Sequence, residues 1–265
     1  MKILILGKRG WLGSLFYNYL KKIGVPVDFD NNEINMIDRL DPDITAVVNF
    51  AASANIDWCE KNKNKTLFNN ILGARNIALV CKAQNVKYVF ISSACIFRSQ
   101  NENDVRYEDS TPSPACFYTE TKLMAEKLIR EINSNTLIVR LRLPLSEVSH
   151  PRNVLNKFLT YKKLVNSQES ATVVEDFIPK LYELIKNDET GSFNLVNEGT
   201  ISPAEIGKLI GHKFEVFTKQ ELDNEISSEK RANRVTTIIG ARRGYLPPIR
   251  DRINDVISKW KSTCN

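Results

Sequence analysis

The sequence predicts an α/β fold in which a doubly wound parallel sheet carries helices on both faces. Short apolar runs alternate with amphipathic stretches through the first half of the chain, and this alternation is typical of parallel sheets covered by helices. A glycine-rich loop stands between the first apolar run and the first amphipathic stretch. Beyond Pro144 the alternation loosens, which predicts a smaller C-terminal lobe.

The elements of the first half follow one another in a regular order. The apolar run MKILIL predicts a short buried strand, and from Leu12 onward apolar residues recur at helical spacing. A polar loop is expected between the fourth strand and about Pro114. The same criteria predict strands over Val25–Phe29, Ile44–Ala51, Lys87–Ser92 and Thr136–Leu141, and helices over Thr66–Ala83 and Phe117–Asn133.

The second half is less regular but still contains clear signals. Ser202, Pro203 and Glu205 stand where the N-cap, first and third positions of a helix favour these residue types. The last sixty residues are polar and end in an amphipathic helix over Ile249–Trp260. The remaining predictions are helices over Val154–Tyr161 and Ile178–Lys186 and strands over Thr172–Glu175 and Ser192–Val196.

Composition excludes several classes of protein. No apolar run approaches the roughly 20 residues that a membrane helix needs, and the N-terminal run is too short for a secretory signal, so we expect a cytoplasmic protein. Five irregularly spaced cysteines and two histidines predict neither a disulfide framework nor a metal site. The net charge of +6 is spread along the chain, so nucleic-acid binding is not expected.

The glycine loop predicts a dinucleotide-binding site of the Rossmann type. Its placement between a strand and a helix gives the motif its meaning. Gly7 would permit the tight turn, Gly10 would let the backbone approach a pyrophosphate, and Gly13 would let the helix pack closely on the sheet. Amide groups at the helix N-terminus would then bind the phosphates. The predicted cofactor-binding residues of the loop are Gly7, Lys8, Arg9, Gly10, Trp11, Leu12 and Gly13.

The charged residues near this loop bear on the choice of cofactor. Lys8 and Arg9 lie where the 2′-phosphate of NADP can meet them, which favours NADPH over NADH. Asp28 and Asp30, in the second strand, are candidates to bind a ribose 2′-hydroxyl instead. The predicted division is an NADP-binding domain over residues 1–143 with a return segment at about 172–196, and a lobe formed by 144–171 and 197–265.

A second motif predicts proton-transfer chemistry. Tyr118 and Lys122 stand four residues apart at the start of a predicted helix, so their side chains share a face. A neighbouring ammonium would lower the tyrosine pKa from about 10 and make Tyr118 a proton donor to a carbonyl oxygen. Ser93 ends a strand at the edge of the sheet where ligands bind. Such a pair alone is common on ordinary helices, and the upstream glycine loop gives it weight.

Together these motifs resemble the extended short-chain dehydrogenases and, within them, the deoxysugar 4-reductases. The resemblance includes Asn49-Phe50-Ala51-Ala52 after a strand and Asn70 in the following helix. It implies that Ser93 and Tyr118 polarise a substrate carbonyl and that Lys122 holds the cofactor and tunes Tyr118. It also implies that Asn70 supports the helix geometry, and it adds cofactor contacts at Asn49, Ala51, Ala52, Asn70, Tyr118 and Lys122.

A plain 4-reductase needs no thiol, yet Cys95 stands two residues after Ser93. A thiolate beside a 4-keto sugar can remove the acidic proton at C3 or C5, because the carbonyl stabilises the enolate. Epimerisation then needs an acid on the other face, and with only two histidines in the chain a lysine is the better candidate. The alternative interpretations are a small buried cysteine and a solvated helix lysine.

The surrounding segments are similar to the bifunctional 3,5-epimerase/4-reductase of UDP-rhamnose synthesis over about residues 1–200. They are Asp57-Trp58-Cys59-Glu60, Arg142-Leu143-Pro144 and the stretch Pro151–Lys157. The similarity implies that Cys95 is the epimerisation base and Lys157 its partner acid. This chain has Ser-Ala-Cys where the family reads Thr-Gly-Cys, and Glu175-Asp176 where it reads Asp-Glu. The predicted substrate-binding residues are Cys95, Arg142, Pro144, Arg152, Asn153, Arg231 and Asn233.

The sequence therefore predicts an NADPH-dependent 3,5-epimerase/4-reductase that acts on a UDP- or dTDP-4-keto-6-deoxyglucose. Two alternatives stay open: a 4-keto-sugar reductase without epimerase activity, and a catalytically inactive NADP-binding regulatory subunit. A homodimer through the two long helices at 66–83 and 117–133 is expected from the resemblance. No membrane or nucleic-acid partner is expected, and the nucleotide base is undetermined.

Overall fold

The computed structural model describes residues 1–30, 34–229, 231–242 and 246–264. No helix in this part of the chain is long and apolar enough to cross a membrane. The strands are β1 (Lys2–Leu6), β2 (Val27–Asp30), β3 (Ile44–Asn49), β4 (Lys87–Ser93), β5 (Thr136–Leu141), β6 (Pro144–Leu145), β7 (Lys163–Val165), β8 (Thr172–Val173), β9 (Gly191–Asn194) and β10 (Glu215–Phe217). The helices are α1 (Trp11–Lys22), α2 (Ile56–Lys61), α3 (Lys63–Leu67), α4 (Gly73–Ala83), α5 (Phe117–Ile132), α6 (Val154–Phe158), α7 (Val174–Lys186), α8 (Pro203–Ile210), α9 (Lys219–Ser228) and α10 (Ile249–Ser262).

The predicted doubly wound parallel sheet is confirmed. Six strands pair in the order β2-β1-β3-β4-β5-β9, and every pairing within this sheet is parallel. Helices α1 and α7 contribute Phe16 and Phe177 to the hydrophobic cluster on one face. Helices α4 and α5 contribute Ile77 and Ile129 to the cluster on the other. The strand order reverses between β1 and β3, and such a switch point is where ligands bind in open α/β sheets.

A third hydrophobic cluster lies outside these two layers. It joins α6, α8 and α10 around residues such as Leu155, Ile206 and Trp260. Two small parallel pairs, β6 with β8 and β7 with β10, adjoin it. This core is formed by the segments in which the sequence pattern was irregular. The division into an NADP-binding domain and a C-terminal lobe, with the boundaries given above, stays a prediction.

The predicted start of the seventh helix is wrong by four residues. The strand expected over Thr172–Glu175 ends at Val173, and the helix expected from Ile178 begins at Val174. Proline is most common in the first turn of a helix. In the structure Pro179 lies in the second turn, where only one backbone hydrogen bond is lost.

The single helix predicted over Thr66–Ala83 is also more complex than expected. Helical structure begins at Lys63, and a π-helical turn over Phe68–Leu72 joins α3 to α4. Four further elements had no recognisable periodicity: α2, α9, β7 and β10. Each is at most ten residues long, and periodicity over so few residues does not distinguish helix from strand.

Candidate active site

The glycine loop packs directly on the backbone that follows β3. Gly7 has a φ of +81°, and a Cβ placed there would lie 2.6 Å from the Ala51 nitrogen. A Cβ on Gly13 would lie 2.4 Å from the Gly7 carbonyl oxygen. Both separations are too short for any side chain, so only glycine permits this turn and this approach of α1 to the loop.

The N-terminus of α1 is suited to bind a phosphate. Its N-cap residue, Gly10, provides no side-chain cap, and the first turn of α1 contains no acidic residue. The first amide groups of the helix are therefore left to an external acceptor, and the helix dipole favours an anion there. With the close approach at Gly7, this arrangement fits the pyrophosphate of a dinucleotide.

The residues predicted to select the cofactor lie beside β2. The Lys8 ammonium sits 3.9 Å from the ring centre of Tyr17 and 3.6 Å from that of Phe29, which holds it by cation–π attraction. Arg9 is exposed. The Asp28 carboxylate is 3.5 Å from the Lys2 ammonium and accepts a hydrogen bond from its neighbour's backbone. Two positive charges thus lie in the loop next to the end of β2.

A hydrogen-bonded network fixes the segment after β3. Asn49 is buried; its amide donates to the Tyr88 hydroxyl and its carbonyl oxygen accepts from the Ala51 N–H, each at 2.9 Å. Asn70, in the π-helical turn, exchanges two hydrogen bonds with the Ser53 backbone and donates to Thr121 in α5 at 3.2 Å. The structure thus shows Asn70 linking this segment to α5. Single π-turns of this kind occur often at functional sites.

The carboxyl end of β4 brings the predicted reactive groups together. The Cys95 N–H donates to the Ser93 Oγ at 3.2 Å. The Tyr118 phenol lies near both Ser93 and Cys95, and each of them affects its pKa. Helix α5, which carries Tyr118, is fixed at its start because the Glu60 carboxylate accepts the Phe117 N–H at 2.7 Å. The Ser93 hydroxyl, the Tyr118 phenol and the Cys95 thiol therefore lie close together.

The predicted effect of Lys122 on Tyr118 is wrong for this structure. Burial, and secondly the nearby Cys95, raise the pKa of Tyr118. Burial lowers the pKa of Lys122 to about 7, against a smaller opposing effect of Glu126. The Lys122 ammonium donates to the Ile91 carbonyl at 2.8 Å and lies 4.0 Å from the Phe90 ring centre. The four-residue spacing predicts that Tyr118 and Lys122 share a helix face, but it does not reveal that burial removes the Lys122 ammonium from water.

Cys95 lines a cavity of about 120 Å³ between the sheet and the C-terminal segment. Its other lining residues include Thr119, Arg142, Glu169 and Asn233. The Arg142 Nη1 donates to the Cys95 sulfur at 2.7 Å. The structure therefore brings the predicted residues Cys95, Arg142 and Asn233 into one space.

Other predicted site residues lie elsewhere. The segment before α6 covers the glycine loop, because His150 stacks on Trp11 with ring centres 5.3 Å apart. Lys157 and Arg152 are exposed on this segment, and Lys157 is not among the residues that line the Cys95 cavity. Neighbouring atoms partly desolvate its ammonium, and this desolvation, followed by repulsion from Arg152, lowers the pKa of Lys157.

Three further predicted substrate contacts have structural roles of their own. The Asn153 side chain is fully buried, caps α6 through the Leu155 N–H and donates to two backbone carbonyls. Pro144 forms β6 and pairs with Thr172 of β8. Arg231 is exposed and pairs with Glu229 at 2.9 Å.

Two carboxylates with clear roles in the site were not predicted from the sequence. Glu169 pairs with Arg142 at 2.6 Å. Asp57 pairs with Arg234 at 2.7 Å and accepts the Ala232 N–H, so it holds the C-terminal segment over the cavity. Acidic residues far apart in sequence give no signal of such pairing. Within the described residues, no three His, Cys, Asp or Glu side chains gather to hold a metal ion.

The parallel sheet, with the glycine loop directly after β1, defines a fold of the Rossmann type. The profile of the family described as the RmlD substrate binding domain matches residues 1–237. The chain belongs to this family.

Individual relatives agree with this assignment. A trifunctional UDP-glucose 4,6-dehydratase/UDP-4-keto-6-deoxy-D-glucose 3,5-epimerase/UDP-4-keto-L-rhamnose-reductase of Arabidopsis thaliana is 31% identical over 78% of this chain. This chain covers only 33% of that relative's length. The UDP-rhamnose synthase of Acanthamoeba polyphaga mimivirus has a TM-score of 0.86 at 23% identity, covering 98% of this chain and 99% of that one.

A second solved structure shows the same fold with a cofactor bound. The dTDP-4-dehydrorhamnose reductase of Bacillus anthracis, in complex with NADP, has a TM-score of 0.80 at 18% identity, covering 97% of this chain and 98% of that one. At these identities the two structural likenesses show the fold alone.

Proposed function

We propose that the chain is an NADPH-dependent 3,5-epimerase/4-reductase that converts a UDP- or dTDP-4-keto-6-deoxy-D-glucose to the L-rhamnose nucleotide. One observation supports it above the others: the Cys95 N–H donates to the Ser93 Oγ at 3.2 Å, and the Tyr118 phenol lies near both residues. Ser93 and Tyr118 can polarise a carbonyl, and the Cys95 thiol can remove a proton next to it. All three are therefore placed to act on the same sugar ring. The names of the relatives combine the same two activities.

The proposed epimerisation uses the carbonyl at C4 twice. Hydrogen bonds from Ser93 and Tyr118 to the C4 oxygen stabilise negative charge on it. The protons on C3 and C5 become acidic as a result. Cys95 removes one of them while the electron pair moves to the oxygen, releases that proton to solvent, and then removes the other in the same way. Lys157 returns a proton on the opposite face, and its lowered pKa makes it a better donor.

The proposed reduction uses the same hydroxyls. The bound dinucleotide supplies the hydride for C4. Tyr118 gives its proton to the oxygen, and its raised pKa keeps the phenol protonated until then. Lys8 and Arg9 in the glycine loop favour NADPH, since both can pair with a 2′-phosphate.

A second candidate function is reduction without epimerisation. It is favoured by the position of Lys157, which does not line the Cys95 cavity. In that case Cys95 has no partner acid, and another enzyme supplies the epimerised ketone.

NADPH oxidation, followed at 340 nm with UDP- and dTDP-4-keto-6-deoxyglucose, tests these functions when the product configuration is read by NMR. A rhamnose-configured product supports both activities. A product unchanged at C3 and C5 supports the reductase alone. Tight NADP binding with no oxidation of any 4-keto sugar supports a regulatory subunit and contradicts our proposal.

We also propose a homodimer through the helical surface formed by α3, α4 and α5. Large apolar side chains on these elements are exposed, namely Leu67, Phe68, Leu72, Leu79 and Met124. Such a patch marks an interaction surface. Light scattering of the purified chain should give twice the monomer mass, and a monomer mass would contradict the proposal.

A further inference from the structure

The guanidinium of Arg142 is the only cation that the described structure places against the Cys95 sulfur. Its Nη1 donates to the sulfur at 2.7 Å. Burial by itself lowers the pKa of Arg142, but Cys95 and Glu169 outweigh burial and raise it. Arg142 is therefore a permanent positive charge in contact with the sulfur.

Glu169 fixes the direction in which this guanidinium points. Its Oε2 accepts the Arg142 Nε at 2.9 Å and the Nη2 at 2.6 Å. The Nη2 also donates to the Val235 carbonyl at 2.8 Å. Three of the four hydrogen bonds thus hold one edge of the guanidinium, and they leave Nη1 directed at the sulfur.

Glu169 is itself held in place. The Thr237 N–H donates to its carboxylate at 3.1 Å, and its backbone forms an antiparallel bridge with Ile201. The side chains of Arg142 and Glu169 are 12% and 7% exposed. Breaking a buried ion pair leaves an uncompensated charge, so the pair is a rigid support for the sulfur.

We propose that Arg142 and Glu169 are positioning residues for the epimerisation step: Arg142 holds the Cys95 sulfur in place through its Nη1, and Glu169 keeps Arg142 aimed at that sulfur. This inference rests on the proposed epimerase function. The thiolate takes a proton from C3 or C5, the electron pair of the broken C–H bond moves to the C4 oxygen, and the resulting thiol remains beside Arg142. Other charged groups that line the cavity are Lys219 and Arg234.

The contact with the sulfur can be tested without substrate. Cys264 is exposed, whereas Cys59, Cys81 and Cys116 are buried, so a Cys264→Ser background lets iodoacetamide report on Cys95. Arg142→Gln should slow alkylation of Cys95 at pH 7 by about tenfold, because a neighbouring cation increases the reactivity of a cysteine sulfur. Arg142→Lys keeps a cation and should restore part of the rate.

The epimerisation role is tested by solvent deuterium exchange at C3 and C5 of the keto sugar. Arg142→Gln should slow this exchange by a larger factor than it slows hydride transfer to the epimerised ketone. Glu169→Gln leaves the charge of Arg142 but releases its direction, so it should slow both exchange and alkylation, each by a smaller factor than Arg142→Gln does. Arg250→Gln, which removes an arginine paired with Glu205 at the surface, is the matched control.

Each outcome decides a separate point. Equal alkylation rates in Arg142→Gln and the control would overturn the role of Arg142. Unchanged exchange in Glu169→Gln would overturn the role of Glu169. If Arg142→Gln does not fold, Arg142→Lys serves, with alkylation slowed by less than tenfold and slowed exchange as the expected result. Absence of exchange in the parent, with alkylation that still depends on Arg142, would contradict the proposed function and leave the contact with Cys95 supported.

Discussion

The ammonium of Lys122 lies against the Ile91 carbonyl and the Phe90 ring, and burial lowers its pKa to about 7. Between pH 7 and its ordinary value of 10.5, the unfolded chain binds a proton that the folded chain does not. The free energy of unfolding therefore rises with pH across this window. Below pH 7 the folded protein must accommodate the buried charge, and that contribution to stability is lost.

Lys122→Met should remove this dependence. The unfolding free energy of the parent should rise by as much as about 1.4 kcal/mol per pH unit from this group between pH 7 and pH 10, whereas that of the variant should lack this contribution. Urea denaturation at pH 7, 8 and 9 measures the difference. Identical pH slopes for parent and variant would show that Lys122 is not desolvated.

We propose that Tyr118 donates the proton to the C4 oxygen during reduction. Tyr118→Phe keeps the ring but removes the hydroxyl, so kcat for NADPH oxidation should fall by about 10²- to 10⁴-fold. Dinucleotide affinity should change far less. Tyr19→Phe, a partly buried tyrosine on α1, is the control. A Tyr118→Phe variant with the kcat of the control would mean that another group donates the proton.

At the scale of secondary structure, the site depends on how the glycine loop before α1 packs against the segment that follows β3. The turn at Gly7 and the contact at Gly13 bring the loop backbone against residues 50–51. Asn70 then ties the segment after β3 to α5. The glycine loop, where we propose that the cofactor binds, is thus connected to α5 and Tyr118 through the segment after β3.

Gly13→Ala should disrupt the glycine loop. Its Cβ would lie 2.4 Å from the Gly7 oxygen, so the helix must move away from the loop, at a cost of about 1–3 kcal/mol. NADPH affinity should fall at least about tenfold as a consequence. Calorimetric titration measures the affinity.

Gly24→Ala is the matched control for that change. Gly24 has a φ of +73° and no atom within 4 Å of an added Cβ, so alanine there costs about 1–2 kcal/mol of stability without touching the loop. Equal NADPH affinity in Gly13→Ala and Gly24→Ala would contradict the proposed packing of the dinucleotide site.

At the scale of the whole molecule, ion pairs join the C-terminal helix to the rest of the chain. Arg252 in α10 binds Asp176 in α7 at 3.0 Å and Glu147 at 3.3 Å. Asp176 also accepts from Asn197 at 2.8 Å. The Asp57–Arg234 pair holds the C-terminal segment at the cavity. These contacts fix the third hydrophobic cluster relative to the sheet.

Arg252→Met should destabilise the protein more than Arg250→Met. The Arg252 side chain is 22% exposed and its removal leaves Asp176 partly buried without its cation, which costs about 1–3 kcal/mol. The Arg250–Glu205 pair is more exposed, and such pairs contribute about 0–1 kcal/mol. Thermal unfolding of both variants measures this. Equal melting temperatures would show that the C-terminal helix is held by apolar contacts alone.

The parallel sheet and the reactive residues at its carboxyl edge could be predicted because both leave local signals. Strand–helix alternation, the loop at Gly7 and the four-residue spacing of Tyr118 and Lys122 are all short-range patterns. The contact of Arg142 with Cys95 joins residues 47 positions apart, and the desolvation of Lys122 depends on three-dimensional packing. Neither leaves a periodic pattern, so the electrostatics of the site required the structure.

The central claim is that one site epimerises and then reduces a nucleotide-linked 4-keto-6-deoxyglucose. The most direct measurement is a reaction with NADPH in deuterium oxide, with the product analysed by NMR. We predict an L-rhamnose nucleotide that carries deuterium at C3 and C5, and loss of this labelling in Cys95→Ala. A reduced product without deuterium at either carbon would contradict the claim and leave a reductase alone.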